Sequence, residues 1–165
     1  MRVLQTSRDM PERVPGKAPR TVIAFDFGLQ RIGVAVGEPE VGSAHPLPPI
    51  VALNPTGRLT EIAALVKEWR PARFVVGRPL GEDGSPHEMT RRAERFARQL
   101  NGRFALPVAL VDERYSSVEV ESRMREAYGN RKTATLARGK ALDSQAAQLI
   151  LEQYFSEANE KTMRR

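Results

Sequence analysis

The chain has 165 residues, with 26 Lys or Arg against 20 Asp or Glu, two His, no Cys and a formal net charge of +6. That length suits one domain with a real core, and the lack of cysteine excludes disulfides, thiol catalysis and Cys-ligated zinc or iron-sulfur sites. No apolar run approaches the ~20 residues of a membrane helix, and HExxH, GxxxxGK[ST] and GxSxG are absent, which removes the commonest zinc-hydrolase, P-loop and serine-hydrolase chemistries.

Residues 1–20 contain Pro11, Pro15, Gly16 and Pro19, few large apolar residues and no periodicity, and read as a disordered basic tail. The tail holds five Lys or Arg against two acids, half of the net charge. No hydrophobic segment follows its arginines, so a secretory signal is not expected and the cytoplasm is the expected compartment. Residues 156–165 are expected to form a short C-terminal tail. Between Thr21 and Phe155 only two net positive charges remain, so local clusters bear on nucleic-acid binding more than the total does.

The folded region is expected over 21–155. Val22 to Phe25 is an apolar run of strand formers, and Ile32, Val34 and Val36 repeat at period 2 behind it, which predicts two strands joined by a tight turn. Asp26 closes the first strand, and Gly28 stands where the turn needs a positive φ or a close backbone approach. A third strand over His45 to Leu53 is confined by three prolines to a sheet edge or shortened by them. Asn54-Pro55-Thr56 opens a helix whose stripe of Leu59, Ile62, Ala63, Val66 and Trp69 faces the core and ends near Pro71.

Arg73 to Gly77 reads as a strand buried on both faces. After the loop from Arg78 to Gly84, Ser85-Pro86-His87-Glu88 reads as a capping box with proline at the first helical position. A helix then runs to about Asn101 with Met89, Ala93, Phe96, Ala97 and Leu100 inward. Its Arg91, Arg92, Arg95 and Arg98 form either a solvated charged face or a nucleic-acid contact. Asp83-Gly84-Ser85 either lines a substrate edge or simply makes a turn and cap, and His87 is expected at the surface.

Pro107 to Val111 is a further buried strand, ending on Asp112-Glu113-Arg114. Ser116-Ser117-Val118-Glu119 predicts a helix to about Tyr128, closed by Gly129. From Gly129 to Lys140 stand Arg131, Lys132, Arg138 and Lys140 with no acid, a pattern expected of a mobile basic loop. The last helix runs from about Ala141 to Ser156, with Ala146, Ala147, Ile150, Leu151 and Tyr154 inward. The order predicts an α/β domain, a central mixed sheet with helices on both faces.

Asp143 precedes Ala146, Ala147 and Ile150 by three, four and seven residues, so it lies on the buried stripe of its helix. Taken singly, each carboxylate has a plain structural role available. Asp143 would gain ~0.3 to 1 kcal/mol from the helix dipole, Asp26 would make an Asx-type turn, and Asp112 or Glu113 would pair with Arg114. Taken together, carboxylates ending two strands and starting a helix converge on one sheet edge. There they repel and raise one another's pKa unless a cation holds them. Oxygen-only ligands select a hard ion, Mg²⁺ or Mn²⁺, and two such ions roughly 4 Å apart cleave phosphodiesters by activating water and stabilising the leaving oxygen. The basic segment before Asp143 would then grip a nucleic-acid backbone with salt-sensitive affinity.

The segments AFDFGLQRIGVAVG, FVVGRPLGEDGS, VDERYSS and LDSQAAQLILEQY resemble, in order, the four blocks of the YqgF family, also called RuvX, the Holliday-junction-resolvase-like or pre-16S rRNA nucleases. The resemblance covers about Thr21 to Phe155. It implies an RNase H-like fold, a five-stranded mixed sheet flanked by helices. It also implies a metal-dependent nuclease processing the 5′ end of the small-subunit rRNA precursor in ribosome biogenesis. Carried over by position, the catalytic, metal-binding acids would be Asp26, Glu113 and Asp143, with Mg²⁺ or Mn²⁺ as cofactor. Asp112 would face the opposite side of an extended chain from Glu113. Arg31, Arg131, Lys132, Arg138 and Lys140 are the candidate nucleic-acid contacts, Arg31 serving equally as a brace of the hairpin. The expected partner is pre-rRNA or branched DNA, bound by a monomer or homodimer away from any membrane. Gln30, where many relatives carry Lys, and a less densely basic 131–140 segment depart from the pattern. Resolution of four-way DNA junctions, which requires a symmetric dimer, is the rival within enzymes. A non-catalytic nucleic-acid-binding factor in transcription or ribosome assembly is the rival outside them. An actin-like phosphatase is disfavoured, since 165 residues lack the second domain that would close over ATP.

Overall fold

The two opening strands are apolar and buried except at Asp26, which ends the first, and this dictates what lies on either side of them. In the computed structural model, which describes residues 20–113 and 135–163 and only the backbone of 135–143 and 160–162, β1 spans Val22–Asp26 and β2 spans Ile32–Gly37. They pair antiparallel from Val22 opposite Gly37 to Asp26 opposite Gly33. At the turn a Cβ on Gly28 would collide with the Arg31 carbonyl, so close approach is what demands glycine there. Strand β2 is buried on both faces, which requires cover from both sides.

The remaining strands are β3 (Ala44–Ile50), β4 (Arg73–Arg78) and β5 (Val108–Asp112). The sheet order is β3-β2-β1-β4-β5, with β1, β4 and β5 mutually parallel and β2 antiparallel to both its neighbours, β1 and β3. The expected RNase H-like arrangement, a five-stranded mixed sheet between helices, is present. Strand β3 is an edge as its prolines predict, though it stops at Ile50 rather than Leu53. Strand β5 differs from expectation: it is the other edge, and Leu110 is 44% exposed, so its apolar run reflects strand propensity more than burial.

Helices α1 (Pro55–Trp69) and α2 (Glu88–Phe104) cover one face. Ile62 of the first and Ala93, Phe96, Ala97 and Leu100 of the second pack on Ile23, Phe25, Phe74 and Val76, with Trp69 at the margin of that core. Helix α1 starts where predicted, capped by the Asn54 side chain accepting from the Gly57 amide at 2.7 Å. Helix α2 does not. Asp83 takes both the amide and the hydroxyl of Ser85, at 3.0 and 2.6 Å. The helix therefore starts two residues beyond the expected proline, capped by His87 Nδ1 accepting from the Met89 amide. In return Thr90 Oγ1 accepts from the His87 amide at 3.0 Å and donates to the Pro79 carbonyl. Thr90 rather than Met89 is the fully buried residue of that turn.

Helix α3 (Thr135–Met163) lies on the other face. Its Ala147, Ile150, Leu151 and Phe155 pack on Val22, Ala24, Ala35, Val75 and Val111. It is longer than expected at both ends, and through 156–163 it takes up most of what was expected to be the C-terminal tail. Leu136, Ala137, Arg138 and Lys140 are good helix formers, and the ~1 kcal/mol cost of Gly139 relative to alanine is tolerated in a helix packed on a sheet. Arg138 and Lys140 therefore stand on a helix and not in a loop. Residues 1–19 of the predicted 1–20 basic tail, the 116–128 helix, and Arg131 and Lys132 lie outside the described residues. Among the described residues no helix is long and apolar enough to cross a membrane.

Candidate active site

Alternation along β1 puts Val22, Ala24 and Asp26 on the α3 face, as the burial of the first two against α3 requires. The same alternation along β5 puts Ala109 and Val111 on that face, and Glu113, one residue past the strand, continues the series. Its amide donates to the Arg78 carbonyl at 3.3 Å, which holds it in register with β4. Two carboxylates from strands on either side of β4 thus reach the same face at the same end of the sheet.

What lets them meet is the absence of a side chain on the strand between. A Cβ built on Gly77 would lie 2.5 Å from Glu113 Oε2 and 2.5 Å from Ile150 Cδ1. The Glu113 carboxyl occupies the space above Gly77, under α3, and hydrogen-bonds Asp26 there. Its pKa is raised from the ordinary 4.5 to about 7. Burial is the largest cause, and the neighbouring Asp112 charge adds to it while the Asp26 hydrogen bond works against it. Two carboxyl groups so placed share a proton or a cation.

Helix α3 is fixed on the sheet by polar contacts the apolar stripe did not foretell. Ser144 Oγ donates to the Leu47 carbonyl at 2.6 Å, Gln148 Nε2 to the Ala44 carbonyl at 2.9 Å, and Gln153 Nε2 to the Asp112 carbonyl at 3.1 Å. Leu47 is opposite Val34, and Val34 opposite Phe25. The turn of α3 that contains Asp143 and Ser144 therefore stands at the level where β1 gives way to Asp26. Among the described residues no three acidic or histidine side chains gather, and the Asp143 side chain lies outside them.

Of the other candidates, Arg31 is half-buried at the start of β2, Arg138 and Lys140 fall in the first turns of α3, and Arg131 and Lys132 are outside the described residues. Asp83 serves the turn before α2. Gly77 was missed by sequence reasoning, though a glycine ending an apolar strand is itself a signal of close approach from another group.

The donor set suits a hard divalent cation. It offers carboxylate oxygens alone, one of them buried over a glycine, and a proton held near neutrality that a cation would displace.

Known proteins resemble this chain over almost all of the described region. The RuvX family model, described as Holliday junction resolvase, matches residues 20–157. A Burkholderia vietnamiensis protein named "Putative pre-16S rRNA nuclease" is 50% identical over 140 residues, 85% of this chain and 91% of that one. A Burkholderia multivorans protein of the same name is 49% identical over the same shares. Among solved structures, the Fowlpox virus resolvase with Holliday junction DNA gives a TM-score of 0.49 at 10% identity, covering 84% of this chain and 98% of that one. With the family model spanning strands, helices and the paired carboxylates alike, and relatives half identical over nine-tenths of their own length, this chain belongs to the RuvX family.

Proposed function

We propose that this protein is a divalent-metal-dependent nuclease that trims precursor 16S rRNA at its 5′ end, with Asp26, Glu113 and Asp143 holding the metal. The observation that carries the reading is the hydrogen-bonded Asp26 and Glu113 pair over Gly77, beside the turn of α3 that contains Asp143. The name given to relatives 50% and 49% identical supports the substrate. When bound, Mg²⁺ or Mn²⁺ supplies Lewis-acid charge at the phosphodiester and lowers the pKa of a bound water.

The chain's own residues supply the rest. Asp26 at the end of a central strand and Glu113 clamped through its amide to β4 present oxygens in fixed positions, so little reorganisation is needed when substrate arrives. Glu113 must give up its proton before it can act as a ligand, which favours activity above neutral pH. Arg31, Arg131, Lys132, Arg138 and Lys140 would neutralise phosphates, giving affinity that falls with salt.

The test sets a 5′-extended rRNA precursor beside a synthetic four-way DNA junction, each with Mn²⁺, Mg²⁺ or EDTA. The expected result is metal-dependent cutting of the RNA, reduced at least ~100-fold in Asp26→Asn, the scale of losing a group that acts on the transition state. The family model is described by junction resolution, so cutting of the junction alone would transfer the reading to a resolvase. Binding without cutting under every metal condition, unchanged in Asp26→Asn, would leave a non-catalytic factor.

A further inference from the structure

The opposite face of the sheet has a cleft at the same end of β1. Phe27, the residue after Asp26, turns to the α1 and α2 side and packs against that core. With Leu29, Leu59 and Phe96 it forms an apolar floor, and Arg92 and Arg95 stand at the edge of a cavity of about 240 Å³. Arg58 is fixed in the wall. Its guanidinium lies 5.6 Å from the Phe27 ring centroid and donates to the carbonyls of Leu29 and, at 3.0 Å, of Ala52. It thereby ties the hairpin turn to the loop after β3.

The composition of this cleft selects its occupant. Sites that enclose a whole small ligand run to ~300–1,000 Å³, so a smaller cavity takes one part of a larger molecule. Leu29 is 53% exposed, leaving part of that apolar floor open to solvent. Arg92 pairs with Glu88 at 3.0 Å, but both side chains are exposed, 48% and 74%, and such pairs exchange readily for another anion. Arg95 has no ion pair among the described residues. An aromatic and aliphatic floor bordered by guanidinium groups is the arrangement on which unpaired bases stack while their phosphates are held.

We infer that this cleft holds an unpaired nucleotide of the substrate strand close to the scissile phosphate. The base lies against Phe27, Leu59 and Phe96, and its flanking phosphates lie on Arg92 and Arg95. The inference rests on the nuclease reading above. Adjacent Cα atoms are about 3.8 Å apart, so Phe27 and Asp26 are within reach of neighbouring nucleotides on a strand crossing the end of β1 from one face to the other. A base stacked and paired within a duplex is unavailable to such a floor, so the preferred cleavage point is beside a single-stranded segment.

The test measures binding of full-length protein, in EDTA, to a short single-stranded RNA carrying one 2-aminopurine and to the same RNA in a duplex, across a salt series. The expected result is tighter binding of the single strand and a change in 2-aminopurine fluorescence on binding. The Arg92→Gln, Arg95→Gln double variant should bind about 10-fold more weakly, with a salt slope smaller by about 1.4, at ~0.7 for each single-strand phosphate left without its arginine. Phe27→Leu should keep the slope and lose most of the fluorescence change. Unaltered affinity, slope and fluorescence in both variants, at unaltered melting temperature, would overturn the inference, as would equal affinity for duplex and single strand. Wild-type cutting of pre-rRNA combined with binding indifferent to Arg92 and Arg95 would remove the cleft and keep the nuclease. Binding lost in the arginine variant without cutting in any metal would do the reverse.

Discussion

Gly77 fixes where Glu113 can go. The atoms that a Cβ at position 77 would strike, Glu113 Oε2 and Ile150 Cδ1, are both ends of flexible side chains, so Gly77→Ala should fold at a cost of ~1–3 kcal/mol from overpacking. The carboxyl would be pushed off its seat, and metal affinity should fall about 10–100-fold, the usual scale for disturbing a ligand's support; isothermal titration with Mn²⁺ reads this directly. Glu113 itself makes a prediction with a sign. Its pKa is about 7 in the fold against an ordinary 4.5, so the folded state holds a proton that the unfolded chain releases. Without metal, this group's penalty is absent below pH 4.5 and grows as pH rises to 7, reaching about 3 kcal/mol at most. Glu113→Gln should therefore melt progressively higher than wild type in EDTA as pH rises from about 5 to about 8, and the two should converge at the acid end. A difference independent of pH would contradict the buried, protonated carboxyl.

Helix α3 turns the sheet into a site, because it alone among the described helices covers the face that Asp26 and Glu113 share. Ser144 is 5% exposed and its hydroxyl satisfies the Leu47 carbonyl. Ser144→Ala should cost about 1–2 kcal/mol through that orphaned acceptor, a fall of roughly 2–8 °C in melting temperature, and it should loosen the turn next to Asp143. What was legible in the sequence at this scale was the periodic part. The apolar runs of β1 and β4 and the Ala93 to Leu100 stripe pack as their spacing predicts, while of the α1 stripe Ile62, Val66 and Trp69 reach the core, joined by Leu65 in place of Leu59 and Ala63. What was not legible depended on competition among polar groups. Ser85 looks like a cap until Asp83 takes its hydroxyl, and Met89 reads as the inward residue of its turn until Thr90 bridges His87 and Pro79. Of the carboxyl pair, the strand-end positions were readable from alternation, whereas the space over Gly77 exists only once α3 is laid across β4. The start of α3 at Thr135 escaped because a basic, acid-free stretch reads as a loop until packing further along supports it.

At the scale of the whole molecule, an open sheet has two edges to guard. Strand β3 carries Pro46, Pro48 and Pro49, each without an amide to offer another strand. Replacing all three with threonine should promote concentration-dependent association, detected by light scattering, with the central strands unaffected. The strand order also dictates when the site comes into being. Asp26 ends β1, the first strand to be made and the centre of the sheet, whereas Glu113 waits for β5 to dock on β4. At synthesis rates of ~5–20 residues per second, the first carboxylate waits on the order of ten seconds for the second. A nascent or truncated chain ending before β5 carries half of a carboxyl pair and no seat for a cation, so on the proposed nuclease reading it would be inactive towards the message and the ribosome producing it.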